Sequence, residues 1–131
     1  MFEHEWKCYW GNVDPARIAY YPRLVNAMHE AGEEYLDQLG VSFWDVPDQY
    51  GIDLPVVAMD MEFRKPVEVG DELTVSVEPD MGTKSLGFDF IATHADGSTA
   101  FIGHEQHVAV DEDKSSTPLP DEFREILEND F

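Results

Sequence analysis

The sequence predicts an α+β domain in which a five-stranded antiparallel sheet wraps one long helix. Three observations lead there. One long amphipathic stretch carries Leu24, Val25, Met28, Gly32, Tyr35, Leu36 and Leu39 at three- and four-residue intervals, a single apolar stripe. Several later segments of strand length alternate apolar and polar residues between turn signals. One strand precedes the helix and four follow it on short connections, which implies antiparallel pairing with the helix packed on one face.

Taken in order, residues 2–10 mix polar and aromatic side chains without helical spacing and read as a first strand. A loop carrying Asp14 follows. Pro22 then opens the helix, because its φ is fixed near the helical value and a helix start leaves its first N–H unpaired anyway. Glu30, Glu33, Glu34 and Asp37 fall largely outside the stripe, and Gly40 is a natural stop. Residues 41–50, with Phe43, Trp44 and Pro47, form an irregular connector with a helical turn, whose aromatics cover the helix end or line a pocket. Residues 52–63 form a long strand with Val57, Met59, Met61 and Phe63 on one face; Pro55 marks an edge or a strand beginning. Glu68 to Asp71 is a turn, and Leu73, Val75 and Val77 alternate with polar neighbours in the next strand. Residues 79–83 turn the chain, Leu86, Phe88, Phe90 and Ala92 make another inward face, and Asp96-Gly97 signals a hairpin. Residues 99–110 are the last strand. The whole chain, residues 1–131, reads as one domain, with residues 111–131 a C-terminal loop and a short helix on Phe123, Ile126 and Leu127.

Charge narrows the partners. There are 28 acidic residues against 8 basic ones, a net charge of −20, spread along the chain. Nucleic acid needs clustered Lys and Arg and is excluded. No run approaches the ~20 apolar residues of a membrane span. The first residues lack the basic start and apolar core of a signal peptide, and the single Cys8 neither forms an intrachain disulfide nor sits in a zinc-like spacing. A cytoplasmic protein is expected. So acidic a surface repels itself at low salt, and molar salt, with a screening length of about 3 Å, relieves it; the composition looks like that of a halophile's cytosolic protein.

The loop and helix start carry a chemical reading. No Ser, Thr, Asp or Asn immediately precedes Pro22, so the first N–H groups lack a side-chain cap. Such a start carries partial positive charge and free donors suited to an anion or a developing oxyanion, and Asp14 brings a carboxylate nearby. A solvated Asp-Pro turn before a water-capped helix fits the same residues, and the residues alone leave both readings open.

Gly11-Asn12-Val13-Asp14-Pro15-Ala16, followed by Tyr20-Tyr21-Pro22 and the helix, resembles the signature of the 4-hydroxybenzoyl-CoA thioesterase family. That signature reads G-D-x-D-P/A-A-G, an aliphatic pair, aromatics, then proline. The resemblance continues through Phe63-Arg64-Lys65-Pro66 and Gly70-Asp71-Glu72-Leu73 to the last strand, with Asn12 in place of the usual Asp and Arg17 in place of the usual Gly. It implies the hot-dog fold, hydrolysis of an acyl-CoA to acid and CoA, and no metal or organic cofactor. It also implies a homodimer or homotetramer with sheets continuous across subunits and the site at their interface. Residue by residue, Asp14 falls on the catalytic carboxylate and Tyr21 on the oxyanion donor, through its backbone N–H. A carboxylate either attacks the thioester to give a mixed anhydride or activates water, and the sequence does not choose.

With so few cations, those placed for the CoA phosphates are informative: Arg64 and Lys65 in the F-R-K-P segment, and Lys84 before Ser85, similar to a basic-Ser pair of the family. Surface cations that merely pair with abundant carboxylates would look the same. Arg17, near Asp14 in sequence, pairs with it or contacts substrate. The histidines do not converge: His29-Glu30 starts like H-E-x-x-H but position 33 is Glu, and His104 and His107 lie on opposite strand faces, with His104 expected in the core. Glu30, Glu33 and Glu34 are read as a solvated face. Two other functions stay in view: a hydratase or dehydratase of acyl thioesters, whose acid–base His is missing from positions 18–21, and a non-catalytic acyl-thioester-binding module.

Overall fold

The computed structural model describes residues 1–130. Its elements are β1 (Phe2–Lys7), α1 (Tyr21–Gln38), α2 (Val46–Tyr50), β2 (Val56–Phe63), β3 (Glu72–Met81), β4 (Ser85–His94), β5 (Thr99–Val108) and α3 (Asp121–Glu128), with single 3-10 turns at Trp10–Asn12 and Phe43–Asp45. The strands form one antiparallel sheet in the order β1-β3-β4-β5-β2. This is the hot-dog arrangement, with α1 laid along the sheet's inner face.

The core follows from two periods. Along α1, Leu24, Ala27, Met28, Ala31, Gly32, Tyr35 and Leu36 are buried, the stripe read from the spacing. Against it stand Leu73, Val75 and Val77 of β3 and Leu86, Phe88, Phe90 and Ala92 of β4, every second residue, all buried. Gly32 marks a close approach of helix to sheet: a Cβ there would lie 3.2 Å from the Phe88 ring. Each fully buried phenylalanine contributes roughly 1.5–3 kcal/mol. Tyr35 keeps its hydroxyl satisfied by donating to Asp130 at 2.7 Å, which ties α1 to the chain's end.

Three expectations are corrected. The strands after the helix are not one continuous meander: β3, β4 and β5 are, but β2 pairs with β5 at the far edge, and residues 64–71 carry the chain across two strands to β3. β3 does not stop before Pro79 but runs to Met81, with Pro79 opposite Phe88. β1 pairs with β3 only as far as Val77, so beyond it β3 is itself an edge, where proline's missing N–H costs no ladder bond. The strand expected from residue 52 begins at Val56; Asp53 makes only an isolated bridge to Val110.

β2 carries the less expected finding. Met59, Met61 and Phe63 share the sheet's inner side, opposite Glu105, Gly103 and Phe101; Met61 packs against the core, but Met59 and Phe63 are left exposed. Seven of its eight residues are exposed, Met59 at 40% and Phe63 at 49%. No helix in the described residues is long and apolar enough to cross a membrane.

Candidate active site

The loop before α1 is a small closed structure. Val13 and Ala19 form an isolated bridge, and Asp14 exchanges backbone bonds across the turn: its N–H donates to the Ile18 carbonyl at 3.0 Å, and its carbonyl accepts from Arg17 at 2.9 Å. The Asp14 carboxylate turns back on the same loop, Oδ1 accepting from the N–H of Ala16 at 2.8 Å and of Ile18 at 3.4 Å. This Asx-type turn fixes the side chain and leaves Oδ2 without a protein partner among the described residues. Asn12 accepts the Tyr9 N–H through its side-chain oxygen at 2.8 Å, a bond an aspartate would make equally well, so the departure from the family pattern keeps the same turn.

Arg17 shows why glycine is usual at its position. Its φ is +66°, left-handed backbone that a side chain rarely adopts. The guanidinium does not pair with Asp14, as the sequence allowed, but lies over the Trp10 ring, 5.8 Å from its centroid.

The start of α1 is uncapped, as expected. Tyr20 takes the N-cap position without a side-chain bond, and the Tyr21 N–H donates to no group among the described residues. The loop and the F-R-K-P segment meet there, because Ala19 N–H donates to Val67 O at 2.7 Å and Ile18 bridges Glu68. The result is a groove of about 380 Å³ lined by Ile18, Ala19, Tyr21, Leu24, Phe63, Arg64, Lys65, Pro66 and Val67. It joins an apolar wall, a helix start with free donors and two cations. A larger groove, about 690 Å³, lies beside Tyr35 and Asp130 and contains none of these residues.

Of the cations expected at CoA, two stand here. Arg64 pairs with Glu62 at 2.9 Å and Lys65 with Asp96 at 3.1 Å, both at the exposed surface, where such pairs are weak and readily exchanged. Lys84 lies at the other end of β4, which is ten residues long, so about 30 Å separates it from Lys65 within one protomer. Trp44 is 73% exposed, whereas Phe43 packs on the rings of His29 and His107.

The histidines contradict the sequence reading. His104 is on the sheet's outer face, half-buried, bonded to Asp89 at 2.7 Å and Gln106 at 2.8 Å, not in the core. His107 is the buried one, and it converges with His29 on Glu105: His107 Nε2 lies 2.6 Å and His29 Nδ1 2.8 Å from the same carboxylate oxygen. Burial alone would raise the Glu105 carboxyl, but the hydrogen bonds from His107 and His29 hold it down at about 2. The bond to Glu105 raises His29 above the usual imidazole value, against burial. The available signal was the alternation Gly103-x-Glu105-x-His107-x-Ala109, an inward face in which two polar residues hide the apolar pattern.

Comparison with known proteins accords with this architecture. The family model described as the thioesterase-like superfamily matches residues 8–127. A 1,4-dihydroxy-2-naphthoyl-CoA hydrolase of Thermosynechococcus vestitus is 27% identical over 115 residues, covering 86% of this chain and 79% of that one. A thioesterase superfamily structure from Jannaschia sp. is 29% identical with a TM-score of 0.88, covering 98% of this chain and 91% of that one. The structure of a 1,4-dihydroxy-2-naphthoyl-CoA thioesterase from Synechocystis superposes with a TM-score of 0.91 at 21% identity, covering 98% and 96%. With the family match spanning nearly the whole chain and the hot-dog sheet in place, this protein belongs to the thioesterase-like superfamily and is a thioester hydrolase.

Proposed function

We propose that the protein hydrolyses an acyl-CoA, with the Asp14 carboxylate as nucleophile or general base and the Tyr21 backbone N–H as oxyanion donor. The observation that carries this reading is the groove at the start of α1, where an unpaired N–H, an apolar wall and Arg64 with Lys65 face one space. The thioester carbonyl oxygen would lie against the helix start, where partial positive charge meets the negative charge that develops on attack. Asp14 does not itself line this groove; its loop braces Oδ1, and Oδ2 is the oxygen that would act on a thioester held at the helix start. Arg64 and Lys65 would exchange their exposed carboxylates for CoA phosphates, and Arg17 and Lys84 serve as further phosphate contacts only if a partner subunit brings the nucleotide to them. No metal or organic cofactor takes part in this step.

The apolar wall of Leu24, Ile18 and Phe63 suits an aromatic acyl group, and the relative from Thermosynechococcus vestitus is named for a dihydroxynaphthoyl thioester. An aromatic acyl-CoA is therefore the first substrate to try. The functional unit in this reading is a homodimer, formed by β2 of two copies pairing antiparallel about a two-fold axis, so that one sheet runs through both. Exposed apolar side chains along β2 support it, since a lone protein would leave that edge open to aggregation. The high acidity supports a cytosolic protein working in concentrated salt.

The test is free-thiol release from a panel of aryl- and alkyl-CoA thioesters in molar KCl, comparing wild type with Asp14→Asn. A loss of about 100-fold or more in kcat with the fold intact supports the mechanism. Equal turnover by the variant, or none by wild type on any acyl-CoA, refutes it and turns the question to hydration or to binding without turnover.

A further inference from the structure

We propose that His29, Glu105 and His107 form a binding site for a divalent transition-metal ion, joining α1 to β5 beneath the sheet's inner face. One ligand atom from each lies within 4.8 Å of the other two, and the residues come from positions far apart in sequence. Glu105 and His107 alternate on the inner side of β5, and both are fully buried. His29 reaches them from the middle of α1.

Three further features fit a metal better than a chance meeting of polar groups. His107 Nδ1 donates to the Leu54 carbonyl at 2.7 Å, which fixes the ring and leaves Nε2, the nitrogen aimed at Glu105, as the one to bind a metal once its proton is displaced. His29 has the same construction in outline, Nδ1 toward Glu105 and Nε2 3.3 Å from the Glu33 carboxylate. Metal-bound histidines are commonly oriented in this way, by a carbonyl or carboxylate on the far nitrogen. Finally, Glu105 Oε2 is buried with no hydrogen-bond partner among the described residues, although its neighbour Oε1 has two. An unpartnered anionic oxygen in an apolar interior calls for a cation.

Two imidazoles and one carboxylate are a donor set for Zn²⁺, Fe²⁺ or Co²⁺ rather than for Ca²⁺ or Mg²⁺, which prefer oxygen alone. Metal–ligand bonds near 2.1 Å place adjacent donor atoms about 3.0 to 3.4 Å apart, so binding opens the present 2.6 and 2.8 Å contacts by up to about 0.8 Å. It releases the protons that those hydrogen bonds hold. Rings of Phe43 and Phe88 pack against His107, and the His29 side chain, 32% exposed, provides the way in. His29 is eight residues along α1 from Tyr21, about 12 Å, so the ion is a clamp on the scaffold and not part of the thioester chemistry.

The experiment is titration of the metal-stripped full chain with Co²⁺, followed by visible d–d absorption, and by displacement with Zn²⁺. One equivalent per chain is expected, with an intense tetrahedral or five-coordinate spectrum, and a rise in Tm of about 10 °C at hundredfold excess over Kd. His29→Gln should weaken Co²⁺ binding at least tenfold, while Asp14→Asn leaves it unchanged. As a readout that needs no variant, the ring protons of His29 and His107 should show large paramagnetic shifts, and those of His4, His94 and His104 should not. Absence of stoichiometric uptake by wild type, or shifts confined to the other histidines, overturns the proposal; thioester turnover is not its criterion, so the two readings fail independently.

Discussion

β1 and β2 are the two edge strands of one sheet, and each presents a row of backbone groups that no strand in this chain pairs. β1 alternates strictly: Phe2, His4 and Trp6 turn partly inward, and Glu3, Glu5 and Lys7 stand in solvent. Charges on an edge deter a second strand from pairing with it. β2 carries exposed Asp60 and Glu62 in its second half, but its first half, Val56 to Met59, is uncharged and wholly exposed, Val57 reaching 57%. A bulge between Val56 and Ala58 shifts its register on β5. The lesson is that equal positions in a sheet need not have equal surfaces: β1 alternates charge along its whole length, and the first half of β2 offers the apolar edge on which the proposed dimer rests.

The sharpest way to break that contrast is to give β2 the character of β1. Val57→Glu with Met59→Glu should convert a dimer into a monomer by light scattering, raising the dissociation constant at least a hundredfold. Glu5→Val on β1 should leave the mass unchanged. Next in size is the helix start, which borders the end of β2. Tyr21→Pro removes the N–H while keeping helical φ, and Tyr20, with φ −67° and ψ 124°, already has the backbone a proline demands of its predecessor. We expect a loss in kcat of about 10²–10³-fold, with Tyr21→Phe close to wild type.

Between the edges, Gly32→Ala tests the core without touching either. The added methyl meets Phe88 at 3.2 Å and should cost about 1–3 kcal/mol in denaturant unfolding, with the dimer dissociation constant held. The smallest effect concerns salt. Each protomer brings a charge of −20, so raising KCl from 0.1 M to about 2 M should tighten the dimer by roughly tenfold in sedimentation equilibrium. Weakening instead would mean that ion pairs hold β2 to its partner, and the contrast with β1 would need another cause.

Much of this architecture is legible in the sequence, where a local signal meets no competitor. The α1 stripe, the alternation of β3 and β4 and the turn at Asp96-Gly97, where Gly97 has φ +88°, depend on residues a few positions apart. The uncapped helix start with Asp14 just upstream is legible for the same reason, loop and helix being neighbours in the chain, whereas the role of Tyr21 came from the family resemblance. Arg17 was visible as a departure, but its left-handed backbone and its stack on Trp10 were not.

Tertiary structure alone decided three things. It separated Lys84 from Arg64 and Lys65, because opposite ends of an extended strand cannot meet however similar their chemistry. It left most of β2 uncovered, since the one helix of 18 residues packs toward the β1–β3 side of the sheet and cannot also reach the far edge. And it brought His29 to Glu105 and His107 across 76 residues of chain. Periodicity reports which face a side chain takes relative to its neighbours in the same element. Which element then packs on that face, and with what polar group, depends on long-range packing that no local spacing encodes.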